Sequence, residues 1–168
     1  MNQKLTAIFK KFHASYSDKD DEDLVFLATR TIENILTDIL SSFLVESASK
    51  KDVLLDDGEA VGRFVTKIHL AQRLGLISEG LAEELQLLRK IRKEFKNKID
   101  CTTLDYKDAR VFCKNLIAPA QLKKESAYTD EQFPDTSRGN FELTVTILSC
   151  LLENILDHTQ TIPHVPLH

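Results

Sequence analysis

Between Leu81 and Ile99 the large apolar residues step by four, three, three, four and four: Leu81, Leu85, Leu88, Ile91, Phe95 and Ile99. This spacing fits one face of an α-helix, which turns about 100° per residue, and does not fit the strict alternation of a strand. The same rhythm recurs along the chain and constrains it to an all-α fold. Val25, Ala28, Ile32, Ile35, Leu36, Ile39, Leu40 and Phe43 predict a long helix from about Asp23 to Glu46. Leu24 and Leu27 widen its apolar face, as a central helix touching several neighbours requires. The acidic stretch Asp18 to Asp23 suits the start of that helix, where negative charge complements the helix dipole. With only 5 Gly and 4 Pro, the chain has few residues to interrupt helices.

The remaining segments follow the same logic. Leu5, Ile8, Phe9 and Phe12 share a face of a short helix over Leu5 to Ala14. Asp56-Asp57-Gly58-Glu59 reads as a turn and as the cap of a third helix carrying Val61, Phe64, Val65, Ile68, Ala71 and Leu74. Gly75 suits the left-handed conformation past its end. Ser78 is a good N-cap for the helix of the opening pattern. Asp105 to Leu116 predicts a shorter helix with Ala109, Phe112, Cys113 and Leu116 inward. Phe141 to His158 predicts the last, with Leu143, Ile147, Cys150, Leu151, Asn154 and Ile155 as its core face. Val53 to Leu55 and Leu143 to Ile147 could be strands in isolation, but the second continues at helical spacing through Ile155. Pro119 to Gly139, polar and holding two prolines, predicts a long loop. The expected architecture is a single-domain helical bundle of about six helices over residues 1–158, followed by a flexible tail over 159–168.

Composition excludes several function classes. A chain of 168 residues with 42% hydrophobic and 29% charged content is an ordinary globular domain. No apolar run approaches the roughly 18 residues of a membrane span, and the first residues lack a signal-peptide core, so a cytoplasmic location is expected. Cys101, Cys113 and Cys150 form no C-x-x-C pair; Cys113 and Cys150, set among apolar residues, read as small core hydrophobes. Phosphate-binding loop, dinucleotide, nucleophile-elbow and H-E-x-x-H motifs are all absent. The five histidines make no helical metal pair, and Asp56, Asp57 and Glu59 lack the alternating ligands and closing glutamate of a calcium loop. The expectation is a non-enzyme without metal or cofactor. A net charge of -4 removes the global attraction that drives nucleic-acid binding, so any DNA contact would need a local basic patch.

The densest basic run is Arg89-Lys90-Ile91-Arg92-Lys93-Glu94-Phe95-Lys96-Asn97-Lys98. On a helix, Arg92 falls within the arc of Leu81, Leu88, Phe95 and Ile99, while Lys90, Lys93 and Asn97 point away from it. An arginine on an apolar face needs a partner to offset its desolvation. Two readings stand at this point. Arg92 joins helices through an internal ion pair, with Glu33 or Glu46 as candidate partner, or it lines a groove that binds phosphate or carboxylate. The outward lysines Lys90, Lys93, Lys96 and Lys98 read as a solvated face, with a DNA-binding patch as the alternative.

The stretch from Val61-Gly62-Arg63-Phe64 through Lys67-Ile68 to Leu74-Gly75-Leu76-Ile77 resembles the central block of the mannitol operon repressor (MtlR) family. There a leucine-glycine-x-phenylalanine turn leads into a basic-isoleucine helix ending in leucine-glycine-leucine-isoleucine. Leu87 to Phe95 resembles the block that follows, and Phe26 to Phe43 the helix that precedes, so the likeness covers about Asp23 to Leu116. The resemblance implies an all-helical domain in bacterial transcriptional regulation, acting through a protein partner because the family lacks an evident DNA-binding motif. A DNA-binding regulator or a sugar-transport component is the expected partner, a homodimer is the default assembly, and direct DNA binding is the disfavoured reading. Arg63, Lys67, Arg89, Arg92 and Asn97 are the candidate interaction residues. The chain departs from the pattern at Lys93, where asparagine is common, at Lys96 for alanine, and at Asn97 for histidine. The same block resembles the motif of HEPN-type RNases, which implies as alternative a degenerate nuclease or nucleotide-binding relative. With Asn97 in place of histidine, acid–base chemistry has no titrating group there.

Overall fold

The computed structural model describes residues 14–47, 52–118 and 136–163. Within them the chain is all-α, as the apolar spacing predicts: α1 Asp21–Phe43, α2 Phe64–Arg73, α3 Glu79–Asn97, α4 Lys107–Lys114 and α5 Ser137–His158, with no strand among the described residues. The predicted helix over Leu5 to Ala14, apart from Ala14, and most of the predicted loop before α5 lie outside the described residues.

Helix α1 begins where the acidic stretch places it. The Asp20 carboxylate accepts from the Asp23 N–H at 2.8 Å, and Asp21, Glu22 and Asp23 fill the first turn. Leu24, Val25, Ala28, Ile32, Leu36, Ile39 and Leu40 are then completely buried. The face is narrower than predicted, since Leu27 is 45% exposed. α1 packs along α5 and, on its other flank, against α2 and α3; α3 meets α2 and α4, and α4 closes against α5. One continuous core results, drawing on all five helices.

Helix α3 keeps the opening pattern with one correction. Ser78 Oγ accepts from the Leu81 N–H at 3.3 Å, and Leu85, Leu88, Ile91 and Phe95 are buried. The helix stops at Asn97, however, with Lys98 in extended conformation, so Ile99 stands 99% exposed. Past α2, Gly75 has φ +73° as expected, and the Leu76 N–H reaches back to the Ala71 carbonyl at 2.9 Å. The turn at residues 56–59 forms around Gly58 at φ +91° but caps no helix: the N-cap of α2 is Arg63, without a side-chain bond.

Helix α5 differs most from expectation. It starts at Ser137, capped by Thr136, whose hydroxyl accepts from the Gly139 N–H at 3.0 Å. Phe141, Leu143, Val145, Leu148 and Leu152 are buried, whereas Leu151 and Asn154, which the apolar spacing places inward, are exposed and Cys150 is half-buried. The reason is that residues 141–146 are all buried, leaving no polar face from which to phase the helix. Thr144 and Thr146 fit there because their hydroxyls donate to the Asn140 and Glu142 carbonyls, each at 2.8 Å. Beyond α5, the stretch expected to begin a flexible tail is joined to the end of α1. Thr161 Oγ1 donates to the Ser42 carbonyl and the Ile162 N–H to the Phe43 carbonyl, both at 2.8 Å.

Candidate functional site

Arg63 and Lys67 are four residues apart at the start of α2, and Arg89, Arg92, Lys93 and Lys96 recur at spacings of three, one and three on α3. Helical geometry places each set along one side of its helix. The bundle turns these sides toward a common space, floored by Arg30, Glu33 and Asn34 of α1 and walled by the loop from Asp57 to Gly62. The result is an open groove of about 730 Å³. Seven cationic side chains line it, against the three carboxylates Glu33, Asp57 and Glu59. A chain of net charge -4 therefore concentrates positive charge in one concavity.

Four of the five candidate residues meet there: Arg63, Lys67, Arg89 and Arg92. Asn97 does not; it is exposed on the last turn of α3 and outside the lining. Arg92 combines the two readings left open by the sequence. Its guanidinium bonds Glu33 Oε2 at 2.9 Å, joining α3 to α1, and sits 6.0 Å from the centre of the Phe26 ring. Glu33, rather than Glu46, is thus the partner. The pair is not sealed, because the Arg92 side chain is 30% exposed at the groove wall. Arg89 is steadied by its Nε, which donates to Gln86 Oε1 at 2.7 Å.

Lys67 stands apart from the other cations. It is 4% exposed, lines the groove, and its ammonium makes no ion pair or hydrogen bond among the described residues. Spacing marks Lys67 as a neighbour of Arg63 but carries no signal of that burial. Arg30 joins the site without having stood among the sequence candidates, although Arg30, Glu33 and Asn34 share one face of α1 at spacings of three and four.

The basic run of α3 is divided rather than continuous. Lys93 and Lys96 reach the groove, while Lys90 lies 5.9 Å over the Phe112 ring. Lys98 bonds Asp108 at 2.6 Å and Glu94 at 2.5 Å; these hydrogen bonds hold its ammonium protonated above the ordinary lysine range. No group of three or more metal-ligating side chains comes together among the described residues. Among them, no helix is long and apolar enough to cross a membrane.

No protein-family model matches the chain, and no curated protein matches it in sequence. Its fold is similar to that of a chain in the X-ray structure of the MtlR-HPr complex from Escherichia coli, with a TM-score of 0.56 and 16% identity. The likeness covers 90% of this chain and 95% of that one. At this identity it concerns the fold.

Proposed function

We propose that the chain is a non-enzymatic, cytoplasmic regulator of transcription, of the mannitol operon repressor kind, that acts by binding a protein partner. The observation that carries this reading is the end-to-end likeness of its fold to a chain solved in complex with HPr. The groove supports it. Its lining holds no histidine or cysteine, its seven cations outnumber the three carboxylates, and of these Glu33 is committed to Arg92. Such a site suits the recognition of anionic groups better than proton transfer. The division of the α3 lysines argues against duplex tracking, which needs cations in a stripe along the backbone. For the alternative, a degenerate nuclease or nucleotide-binding relative, Arg92 does line an open groove, but Asn97 lies outside that lining, so the two positions of the nuclease-like motif do not share it.

The partner on this reading is a DNA-binding regulator or a sugar-transport component. The first test is a calorimetric titration of the purified chain with HPr, alongside a titration with operator-length duplex DNA. A stoichiometric complex with HPr and none with DNA is expected. Tight, sequence-specific binding of DNA by the chain alone, with no HPr complex, would overturn the proposal.

A further inference from the structure

The first turn of α2 opens into the groove with two of its donors unused. Arg63, the N-cap, supplies no side-chain acceptor, and its carbonyl takes the N–H groups of Thr66 and Lys67 at 2.9 and 3.0 Å. The N–H groups of Phe64 and Val65 have no acceptor among the described residues. Free donors at a helix N-terminus, backed by the helix dipole, favour an anion. One turn further, Lys67 brings a second, independent indication. Its side chain is buried, lines the same groove and is unpartnered among the described residues. Its stem is buried while its ammonium opens to the groove rather than being sealed from it, so an anion entering the groove meets an unshared positive charge. The carboxylate on the groove floor, Glu33, is already bound to Arg92.

We propose that the groove is a receptor site for the phosphate group of a small phosphorylated molecule, seated at the N-terminus of α2 against Lys67. A phosphate monoester presents three terminal oxygens and close to two negative charges at neutral pH. Two main-chain N–H groups and an ammonium match that donor demand, and Arg63 and Arg89 reach in from the sides. A lone carboxylate offers fewer acceptors and half the charge. The groove volume of about 730 Å³ falls within the range of pockets for whole small molecules, so the phosphate is carried on an organic body lying toward Arg30 and Arg92. This site is independent of which protein the chain binds.

The test uses the full chain in chloride buffer at neutral pH, followed by amide NMR and thermal melting, with inorganic phosphate, glucose 6-phosphate, glucose and a phosphoserine peptide as probes. Inorganic phosphate and glucose 6-phosphate should both shift the Phe64 and Val65 amides and raise the melting temperature, while glucose does neither. Lys67→Met keeps an unbranched apolar stem in the buried position, should melt close to the parent without ligand, and should bind glucose 6-phosphate at least tenfold more weakly. Arg89→Ala, at a half-buried position, provides a second weakened variant. Absence of any response to both phosphates overturns the proposal, as does a response that maps elsewhere or survives in both variants. A phosphoserine peptide binding more tightly than glucose 6-phosphate overturns the small-molecule source and makes the groove a phosphoprotein dock.

Discussion

A Cβ built on Gly62 would lie 2.2 Å from the Asp56 carbonyl oxygen and 3.1 Å from the Gly58 nitrogen. Both are backbone atoms and cannot swing aside, so the loop over 52–62 closes only with glycine at this position. The loop is otherwise held by the Val61 N–H on the Leu54 carbonyl at 2.8 Å and by Asp52, whose carboxylate accepts from Leu54 and Leu55 at 2.8 and 3.0 Å. Gly62→Ala should therefore cost about 1–3 kcal/mol, in the range of overpacking, read as a lower urea midpoint with unchanged slope. Because Gly62 lines the groove, the same change should also weaken ligand binding there. A second prediction concerns the thiols. Burial pushes Cys113 up to about 12, with Asp105 and Asp21 adding repulsion, and burial raises Cys101 too. Since the thiolate is the reactive form, alkylation of Cys113 in the native chain at mildly alkaline pH should be roughly a thousandfold slower than in the urea-unfolded chain. Site-resolved mass spectrometry checks this; equal rates would show that the α4 packing opens freely.

Two polar contacts hold elements together, and neither is visible in the spacing of apolar residues. Arg138, in the first turn of α5, belongs to a stretch whose polar composition predicts a loop. Its Nε bonds Glu142 at 2.8 Å, one terminal nitrogen bonds Asp21 at 2.8 Å and the Lys19 carbonyl at 3.0 Å, and the other bonds the Tyr16 carbonyl at 2.9 Å. Asp21 in turn accepts from the Leu104 N–H at 2.8 Å. One planar guanidinium thus ties α5 to the entry of α1, and through Asp21 to the turn before α4. Arg138→Ala should lower stability by about 2–3 kcal/mol, discounted because the side chain is 31% exposed. Arg138→Lys should recover little, since an ammonium cannot span these acceptors; thermal unfolding of both variants decides.

Glu84 of α3 plays a similar part for the chain after α4, its Oε1 accepting from the N–H groups of Ile117 and of Ala118. Burial raises its carboxyl above the ordinary value, opposed by those two hydrogen bonds and aided by Glu83. The folded state then holds the proton more tightly than the unfolded state, so this group's stabilisation is complete at acid pH and is lost as pH rises through its raised value. Glu84→Gln keeps an acceptor and removes the titration. The unfolding free energy of the parent minus that of Glu84→Gln should therefore grow as pH falls toward the ordinary carboxyl range; a flat difference would mean the carboxylate stays ionised inside. Helices, the acidic entry to α1, the cap at Ser78 and the stop at Gly75 are legible in the sequence because they depend on local spacing and local backbone bonds. The phase of α5, the Arg138 contacts and the Glu84 contacts are not, since each depends on what a distant element brings to that residue.

At the scale of the whole molecule, the groove is a product of packing. Spacing shows that Arg63 and Lys67 share a side of α2, and that Arg89 and Arg92 share one of α3. It does not show that α2 and α3 face one another across Arg30, because no local signal encodes that approach. The distribution of charge that results bears on DNA. The net charge is -4, the groove cations line a concavity, and Lys98 is held by Asp108 and Glu94. A duplex laid on this surface could engage few phosphates at once, and every phosphate left unengaged withholds its share of the counterion release that drives such binding. Anisotropy of a labelled duplex of about 30 base pairs should accordingly show binding weaker than about 10 µM near 150 mM salt, with a shallow dependence on salt concentration. A steep slope, or a submicromolar complex that discriminates between sequences, would show that the lysines of α3 act together on DNA and would displace the partner-binding reading. A shallow, weak response leaves the groove to smaller anions, whose charge can be matched by the few donors at the start of α2.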